Sequence, residues 1–374
     1  MEAVPQAIEP NTQKQPRLEC VDAFRGIVMA RMLIGVPLIP AIASLPPSWF
    51  RDIVNQQLHH ATWHGLTWVD FSFAAYVMIM GLGISLSLRP QGDGTTRKSP
   101  YPKILRRTAL LFLLGLIYNG GFSHKWPDIR IAGILQRMAV CYIVGAVIYL
   151  NAPRRLRYAL LPVILVGYWL LMAFVPVPGG TAGDFSFEGN LAAWVDRQFL
   201  SGRAYYGSWD PEGILTTLPA IASCLIGMLW GDLLLSKLRP GDKLVWFFVG
   251  GLATINLGIL WDLVFPINKS LWTSSYVLVT AGIGSIVLGV CYWLADVLLK
   301  GRWLFPFVVI GRNVLLAFLV VGIIPIQPLA QRLVGGDVGL FFGQLAPFAQ
   351  AATETLLVWL LLYWLYRREI VVKV

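Results

Sequence analysis

The chain has 374 residues, of which 56% are hydrophobic and only 13% are charged, with a mean hydropathy of +0.65 and a net charge of +10. So few charged residues cannot cover the surface of a soluble globule of this length, and the composition therefore excludes that class. The basic residues lie in short segments between apolar runs, so the net charge does not indicate a nucleic-acid partner. We expect a membrane protein whose surroundings are the lipid bilayer.

Apolar runs of about 20 residues, the length that crosses the hydrocarbon core, occur ten times along the chain. They predict an all-α fold, a polytopic membrane helix bundle with spans at about 22–45, 67–88, 103–121, 131–151, 157–176, 214–235, 241–263, 273–299, 303–324 and 346–366. Between Pro325 and Pro347 only a short glycine-rich run, 333–345, is apolar, which predicts a loop or a re-entrant piece. We expect residues 1–17 to form a flexible cytoplasmic tail and residues 18–374 a single transmembrane domain.

The distribution of lysine and arginine predicts the orientation of the bundle. With ten spans, nineteen of the thirty basic residues fall on the side that holds both termini, seven fall on the other side and four fall within helices. The positive-inside rule therefore places both termini in the cytoplasm and the segment around His60 outside it. The first apolar run lacks a small-residue cleavage site, so we expect it to remain as a span. The four cysteines show no metal-ligand spacing, and we expect neither a disulfide framework nor a metal site.

Polar side chains within the predicted spans indicate an anionic ligand. An arginine at the bilayer centre costs roughly 2.5–3.5 kcal/mol on insertion scales, so such a residue should line a cavity or be paired. The acidic residues near these helices are Asp22, Asp70 and Asp262. They are too few to neutralise the arginines, which favours a bound phosphate or pyrophosphate, with interhelical ion pairs as the alternative. The residues concerned are Arg25, Arg31, Arg137 and Arg312, with the amides of Gln136 and Asn313 beside the last two.

Three of the four histidines lie just before the second span, at positions 59, 60 and 64. A histidine titrates near neutral pH, and Asp70 lies one helical turn inside the same span, so a histidine here suits a general base. The alternative is an interfacial histidine with only structural contacts. A long extracytoplasmic loop at about 177–213 mixes aromatic residues with carboxylates, and we expect either a sugar-binding surface or an ordered lid.

Six motifs resemble those of one known family, and they occur in order between residues 18 and about 320. They are Leu18-Glu19-Cys20-Val21-Asp22-Ala23-Phe24-Arg25-Gly26, His60-Ala61-Thr62-Trp63-His64-Gly65-Leu66-Thr67 with Asp70, Ile129-Arg130-Ile131-Ala132-Gly133-Ile134-Leu135-Gln136-Arg137, Asp210-Pro211-Glu212-Gly213, Phe265-Pro266-Ile267-Asn268-Lys269-Ser270-Leu271-Trp272-Thr273-Ser274-Ser275-Tyr276, and Gly311-Arg312-Asn313. By these motifs the chain resembles a short bacterial member of the heparan-α-glucosaminide N-acetyltransferase family.

The resemblance implies an enzyme that transfers an acetyl group from cytosolic acetyl-CoA to an amino sugar across the membrane. It places the catalytic histidine on His60, with Asp70 orienting the imidazole. His60 either deprotonates the acceptor amine or carries the acetyl group itself, and the sequence leaves both routes open. The predicted donor-binding residues are Arg25, Gln136, Arg137, Arg312 and Asn313, and the predicted acceptor-binding residues are Trp63, Asp262, Asn268 and Lys269. The resemblance also implies a homodimer in a bacterial inner membrane.

Two other functions fit parts of the sequence. Ten spans, intramembrane arginines and helices interrupted by glycine and proline would also serve a transporter of a small anion or sugar derivative. No inverted repeat is visible, however, and the histidines lie at one rim rather than at the midplane. A structural or lipid-handling membrane protein is the third alternative, and it leaves the buried arginines unexplained.

Overall fold

The computed structural model describes residues 18–88 and 99–372. These residues form fifteen α-helices, joined by turns, short 3₁₀ segments and one π-helical segment, Trp293–Val297, and no β-strand. The predicted tail 1–17 lies outside the described residues, as do the basic residues at positions 89, 97, 98 and 373. The helices are α1 Glu19–Ala43, α2 Trp49–Leu58, α3 Trp68–Leu88, α4 Tyr101–Tyr118, α5 Ile134–Asn151, α6 Arg154–Phe174, α7 Leu191–Phe199, α8 Thr217–Leu234, α9 Pro240–Asp262, α10 Ser274–Tyr292, α11 Phe305–Arg312, α12 Val314–Ile323, α13 Gln327–Val334, α14 Gly336–Phe342 and α15 Ala346–Arg367.

Among the described residues, eight helical segments are long and apolar enough to cross a membrane, and a ninth results if the pair formed by α11 and α12, bent by 66°, is one broken span. The prediction of a polytopic helical bundle is thus confirmed. Helix α4 coincides with a predicted span but carries Lys103, Arg106 and Arg107 near its start, so it is less apolar than the others. The count of ten spans and the side of the termini stay predictions. The segment 333–345, predicted as a loop or re-entrant piece, contains the short helix α14.

Helices α3, α8 and α10 form the centre of the bundle, because they are apolar around their whole circumference. Helices α3 and α8 approach through reciprocal glycines. A Cβ atom on Gly81 would lie 1.9 Å from the carbonyl oxygen of Cys224, and one on Gly227 would lie 1.8 Å from the carbonyl oxygen of Met78. Backbone therefore lies against backbone at this contact, as in other membrane helix pairs with small residues at the interface.

We expect Gly227→Ala to destabilise the fold by about 1–3 kcal/mol, because the added methyl group overlaps the backbone of α3 and the helices must move apart. Thermal unfolding of the purified protein in detergent measures the effect. The matched control is Gly167→Ala in α6, where an added Cβ meets no atom within 4 Å. Equal midpoints for the two variants would contradict this account of the α3–α8 contact.

Three connections meet at one end of the bundle: the loop between α2 and α3, the long loop between α6 and α8, and the loop between α9 and α10. The amide nitrogen of Gly65 donates to the carbonyl oxygen of Ile267 at 2.8 Å, and the indole nitrogen of Trp63 donates to the carbonyl oxygen of Phe185 at 2.9 Å. An aromatic cluster of Trp63, Phe187, Tyr206 and Trp209 fills the space between the first two loops. This packing holds in place the loop that carries His60.

Candidate active site

The side chain of Asp70, at the start of α3, is held in place by hydrogen bonds from residues close to it in the sequence. Thr67 and Asp70 have the spacing of a capping box, in which the acidic side chain reaches back to the amide of the residue that precedes the helix. Asp70 Oδ2 accepts from the Thr67 amide at 3.1 Å, from Thr67 Oγ1 at 2.9 Å and from the Ala61 amide at 3.1 Å. The hydroxyl of Tyr276 in α10 donates to the Asp70 carbonyl oxygen at 2.7 Å. The carboxylate is almost fully buried and has little freedom to rotate.

The second oxygen of Asp70 is directed at His60. Asp70 Oδ1 lies 2.6 Å from His60 Nδ1, and the role of Asp70 as an orienting carboxylate stays a prediction. Because an ionised carboxylate only accepts hydrogen bonds, Nδ1 carries the hydrogen and Nε2 carries the lone pair. The imidazole side chain is 56% exposed, whereas that of Asp70 is 2% exposed. A buried carboxylate therefore orients an accessible ring nitrogen at the rim of the bundle.

Lys269 reaches the same centre from the loop between α9 and α10. Its Nζ atom lies 3.1 Å from His60 Nδ1, 3.3 Å from His60 Nε2 and 3.7 Å from Asp70 Oδ1. Burial lowers the pKa of Lys269, while the negative charges of Asp70 and Glu212 act to raise it. The imidazole thus contacts both a carboxylate, which stabilises a positive charge on the ring, and an ammonium group, which opposes it.

The turn that presents Lys269 is tightly constrained. The Asn268 side chain donates to the Trp63 carbonyl oxygen at 2.9 Å and accepts from the Leu271 amide at 2.9 Å. Trp272 has a φ of 50°, a left-handed conformation that costs a large side chain about 1–3 kcal/mol and that the surrounding packing must enforce. Its indole nitrogen donates to Ser223 in α8 at 3.1 Å. These contacts fix where the lysine leaves the backbone.

A second charged cluster lies beside this centre, where Arg130 of the loop between α4 and α5 meets Asp210 and Glu212 of the long loop. Arg130 donates to both carboxylate oxygens of Asp210, at 2.7 and 2.8 Å, and to Glu212 at 2.7 Å. Burial disfavours the Asp210 carboxylate, but the Arg130 guanidinium outweighs that effect and holds the pKa of Asp210 below its usual value. Burial raises the pKa of Glu212, and the positive charges of Arg137 and Lys269 act against that rise. Glu212 therefore belongs to the electrostatic surroundings of Lys269.

We expect Arg130→Met to destabilise the protein by about 3–5 kcal/mol, because it leaves the fully buried carboxylate of Asp210 without its cation. Arg130→Lys keeps the charge but loses the paired hydrogen bonds, and it should fall between the parent and Arg130→Met. Thermal unfolding in detergent provides the comparison. Arg203→Met, at an exposed position of the loop that carries Asp210, is the control and should unfold like the parent. Equal unfolding midpoints for Arg130→Met and Arg203→Met would contradict the role of Arg130 as the cation that stabilises Asp210.

Gln136 and Arg137 lie in the first turn of α5, and some of their buried polar atoms make no hydrogen bond to the described residues. Arg137 donates through Nη2 to the Pro211 carbonyl oxygen at 2.6 Å and to the Thr216 hydroxyl, and its guanidinium carbon lies 4.9 Å from the Trp272 ring centre. Its Nε and Nη1 atoms, and both amide atoms of Gln136, are buried without a hydrogen-bond partner among the described residues. Buried polar atoms nearly always have a partner, so these atoms point to a polar ligand or to water.

The other predicted donor-binding residues lie deeper in the bundle. Arg25 contacts Asp22, three residues before it on α1, at 3.4 Å, and its Nη2 atom lies 3.4 Å from where a Cβ on Gly83 would be. Gly83 is thirteen residues beyond Asp70 on α3, which corresponds to about 20 Å along the helix axis. The structure therefore separates Arg25 from the His60 centre by most of the bundle.

Arg312 and Asn313 lie at the break between α11 and α12. The Arg312 guanidinium stacks on the Tyr366 ring at 4.4 Å, and its Nε atom is buried without a partner among the described residues. The Asn313 side chain bonds to Ile370 and Val372 at 2.9 Å each, so its amide holds the segment that follows α15. The donor-binding role of both residues stays a prediction, and Asn313 would have to exchange these bonds to serve a ligand.

The predicted acceptor-binding residues have different surroundings. Lys269 contacts the imidazole, whereas the side chain of Asn268 joins two loops. Asp262 accepts from the Ile267 amide at 2.6 Å and thereby shapes the turn before Lys269. Trp63 belongs to the aromatic cluster. Their acceptor-binding roles stay predictions. Within residues 18–88 and 99–372, no group of three or more His, Cys, Asp or Glu side chains could hold a metal ion.

Two features of the site were not predicted as parts of it. Thr67 fixes the Asp70 carboxylate, and its capping-box spacing is a signal that the sequence contains. Arg130, Asp210 and Glu212 come from segments about 80 residues apart. In the sequence these residues belong to two separate motifs, and no local spacing predicts that the motifs are in contact.

No family model matches the chain. Among curated proteins, it is 31% identical over 361 residues to the human "Heparan-alpha-glucosaminide N-acetyltransferase", covering 81% of this chain and 52% of that protein. It is 28% identical over 375 residues to the mouse protein of the same name, covering 83% of this chain and 54% of that protein. The chain thus spans about half the length of the curated relatives it matches.

Proposed function

Because the chain belongs to the heparan-α-glucosaminide N-acetyltransferase family, we propose that it is a membrane N-acetyltransferase that moves an acetyl group from acetyl-CoA to the amine of a glucosamine-type sugar. Acetyl-CoA approaches from the cytoplasm and the sugar from the opposite side, with both termini cytoplasmic. Residues 18–374 act as one transmembrane domain. From the resemblance we also propose a homodimer in a bacterial inner membrane.

The observation that supports this proposal most strongly is the 2.6 Å contact between His60 and the buried Asp70 at the rim of the bundle. In the direct route, the amine attacks the thioester carbonyl and His60 Nε2 takes the proton that the amine loses. The C–S bond breaks, and the proton passes to the CoA thiolate. In the alternative route, Nε2 attacks the thioester first and CoA leaves as a thiolate. The amine then attacks the acetyl-imidazole, the bond between the acetyl carbon and Nε2 breaks, and the proton that the amine loses passes to the CoA thiolate.

Lys269 would assist either route. Its Nζ atom lies 3.3 Å from Nε2, so a substrate that engages Nε2 replaces that contact and brings its carbonyl beside the ammonium group. An ammonium group so placed would stabilise the negative charge that develops on the carbonyl oxygen. The fixed turn around Asn268 supports such a role, because electrostatic catalysis depends on groups that are already in position.

The positive charges along the interior suit the acyl donor. Acetyl-CoA carries its thioester on a flexible pantetheine arm, away from its phosphates. The thioester and the phosphates can therefore lie at different depths in the membrane. The interior has guanidinium groups at both depths: Arg137 lies against Trp272, in the turn that presents Lys269, and Arg25 lies about 20 Å along α3. The unpaired buried atoms of Gln136, Arg137 and Arg312 support a polar ligand between these levels.

Turnover in detergent tests the proposal. We expect the purified protein to convert acetyl-CoA and glucosamine to CoA and N-acetylglucosamine, detected by mass spectrometry with isotopically labelled acetyl-CoA. N-acetylglucosamine as the acceptor is the matched control, because its nitrogen is already acylated. If well-folded protein yields neither product nor saturable acetyl-CoA binding, the proposal is wrong.

A transporter of a small anion or sugar derivative is the second candidate, favoured by the break of 66° between α11 and α12. Broken spans in transporters often place helix ends and free backbone groups at a substrate site. Detergent micelles have no compartments, so product formation there cannot arise from transport. Acetyl transfer in micelles would therefore exclude a protein that only transports.

A further inference from the structure

A groove of about 690 Å³ lies on the outside of the bundle, away from the His60 centre. Its walls come from α6 and α9, and its floor comes from α8 and α10. The lining is mostly apolar and includes Leu161, Trp230, Trp246, Leu257 and Leu278. Neighbouring side chains of α6 and α9, such as Val163 and Val249, are more than 60% exposed, as expected of a surface that faces lipid.

The groove is closed at one end and polar at the other. Trp169 of α6 meets Trp261 of α9 at a ring distance of 6.0 Å, which joins the two walls beyond the far end of the groove. Arg154, Tyr158 and Ser236 lie at the opposite end. Between Trp246 and Leu257 the groove follows α9 for about 16 Å, roughly half of the 30 Å hydrocarbon core. Its depth is therefore that of one leaflet.

The polar end carries a net positive charge. Arg154 and Arg157 both lie within 4 Å of Asp232, at 3.9 and 3.7 Å, so one carboxylate faces two guanidinium groups. The Arg154 side chain is still 62% exposed, and it also bonds to the Tyr158 hydroxyl. Other basic residues of the same end are Arg155, Lys237 and Arg239. An anion at this position would be attracted by several cations.

We propose that this groove binds an anionic phospholipid of the cytoplasmic leaflet, with its phosphate at Arg154 and its acyl chains between α6 and α9. An apolar groove one leaflet deep that ends in basic residues matches both parts of such a lipid, and basic pockets between helices on the cytoplasmic side are typical binding sites for anionic head groups. A second copy of the chain fits less well. A two-fold axis along the membrane normal would place the basic ends of both grooves at the same level, where their charges repel each other.

Glycine at position 250 allows a direct test. A Cβ atom there meets only the edge of Trp246, at 4.0 Å, so Gly250→Leu fills the groove without touching backbone. Thr254→Leu fills it from the next turn of α9, so the test does not depend on one variant. Gly167→Leu is the matched control, since an added Cβ at Gly167 meets nothing within 4 Å and the residue does not line the groove.

The measurement is native mass spectrometry of the purified protein after titration with phosphatidylglycerol or phosphatidylcholine of the same chain length. We expect the parent and Gly167→Leu to retain phosphatidylglycerol in preference to phosphatidylcholine, and both groove-filling variants to lose it. Arg154→Gln should weaken retention of phosphatidylglycerol about fivefold. Arg155→Gln, which removes the same charge outside the groove lining, should have a smaller effect. Size-exclusion profiles establish that each variant is folded.

Three results would overturn the proposal. One is equal retention of phosphatidylglycerol by the parent and by both folded groove-filling variants. Another is equal retention of the two lipids by the parent, which would remove the role of the anionic head group. The third is occupation of the groove by a second copy, detected as a disulfide-linked dimer of Trp246→Cys in membranes.

Discussion

Replacing His60 with alanine is expected to lower kcat for acetyl transfer by about 10²–10⁴-fold, the range that a positioned acid–base group contributes. Nε2 of His60 is the accessible nitrogen of the pair with Asp70, and alanine offers no group to take the proton of the amine or to accept the acetyl group. Loss of the imidazole should cost little stability, because Asp70 keeps its hydrogen bonds from Ala61 and Thr67 and the positive charge of Lys269 at 3.7 Å. Turnover with saturating acetyl-CoA and glucosamine provides kcat, and equilibrium binding of acetyl-CoA provides the comparison.

His59→Ala is the matched control for this variant. His59 is the adjacent residue, but its Nδ1 donates to the carbonyl oxygen of Asn55 at 2.8 Å, within its own chain segment. We expect His59→Ala to keep turnover close to that of the parent and His60→Ala to keep acetyl-CoA binding. If the two variants lost turnover equally, or if His60→Ala turned over like the parent, His60 would not be the reacting group.

Asp70→Asn is expected to lower kcat by about 10³–10⁴-fold, comparable to the loss when the carboxylate of a Ser-His-Asp triad becomes an amide. The asparagine oxygen can replace Oδ2 toward Ala61 and Thr67, which directs the NH₂ group at His60 Nδ1. That NH₂ group can only donate, so Nδ1 must accept and the hydrogen moves to Nε2. The reacting nitrogen then has no lone pair available for the substrate.

Two comparisons separate this effect from a loss of folding. Asp128→Asn also replaces a carboxylate with an amide, but at an exposed position of a loop, and this variant should turn over like the parent. Acetyl-CoA binding by Asp70→Asn should stay close to that of the parent, because the variant keeps the hydrogen bonds that begin α3. Turnover by Asp70→Asn within threefold of the Asp128→Asn control would remove Asp70 from the mechanism.

The pairing of His60 with Asp70 could be predicted because both residues belong to one short segment. A loop histidine followed by a carboxylate in the first turn of a helix allows few arrangements, and the capping-box spacing of Thr67 restricts them further. The all-helical membrane fold could be predicted for a similar reason, since apolar runs long enough to cross a bilayer must satisfy their own backbone. Both conclusions depend on residues that are close in sequence.

Other features depend on contacts between distant segments, which a single sequence does not define. Lys269 was predicted as an acceptor-binding residue, but its position beside the imidazole depends on the left-handed Trp272 and on the link from Asn268 to Trp63. The bend between α11 and α12 has no proline at the break, so the predicted continuous span 303–324 gave no indication of it. In each case tertiary packing decided the local geometry.

The most direct measurement of the central claim uses proteoliposomes that contain glucosamine inside and labelled acetyl-CoA outside. If one centre joins a donor from the cytoplasm to an acceptor on the opposite side, labelled N-acetylglucosamine should accumulate inside the vesicles and CoA outside, with the parent but not with His60→Ala. Escape of unmodified glucosamine, or uptake of intact acetyl-CoA, without any acetylated product would contradict the account and identify a transporter instead.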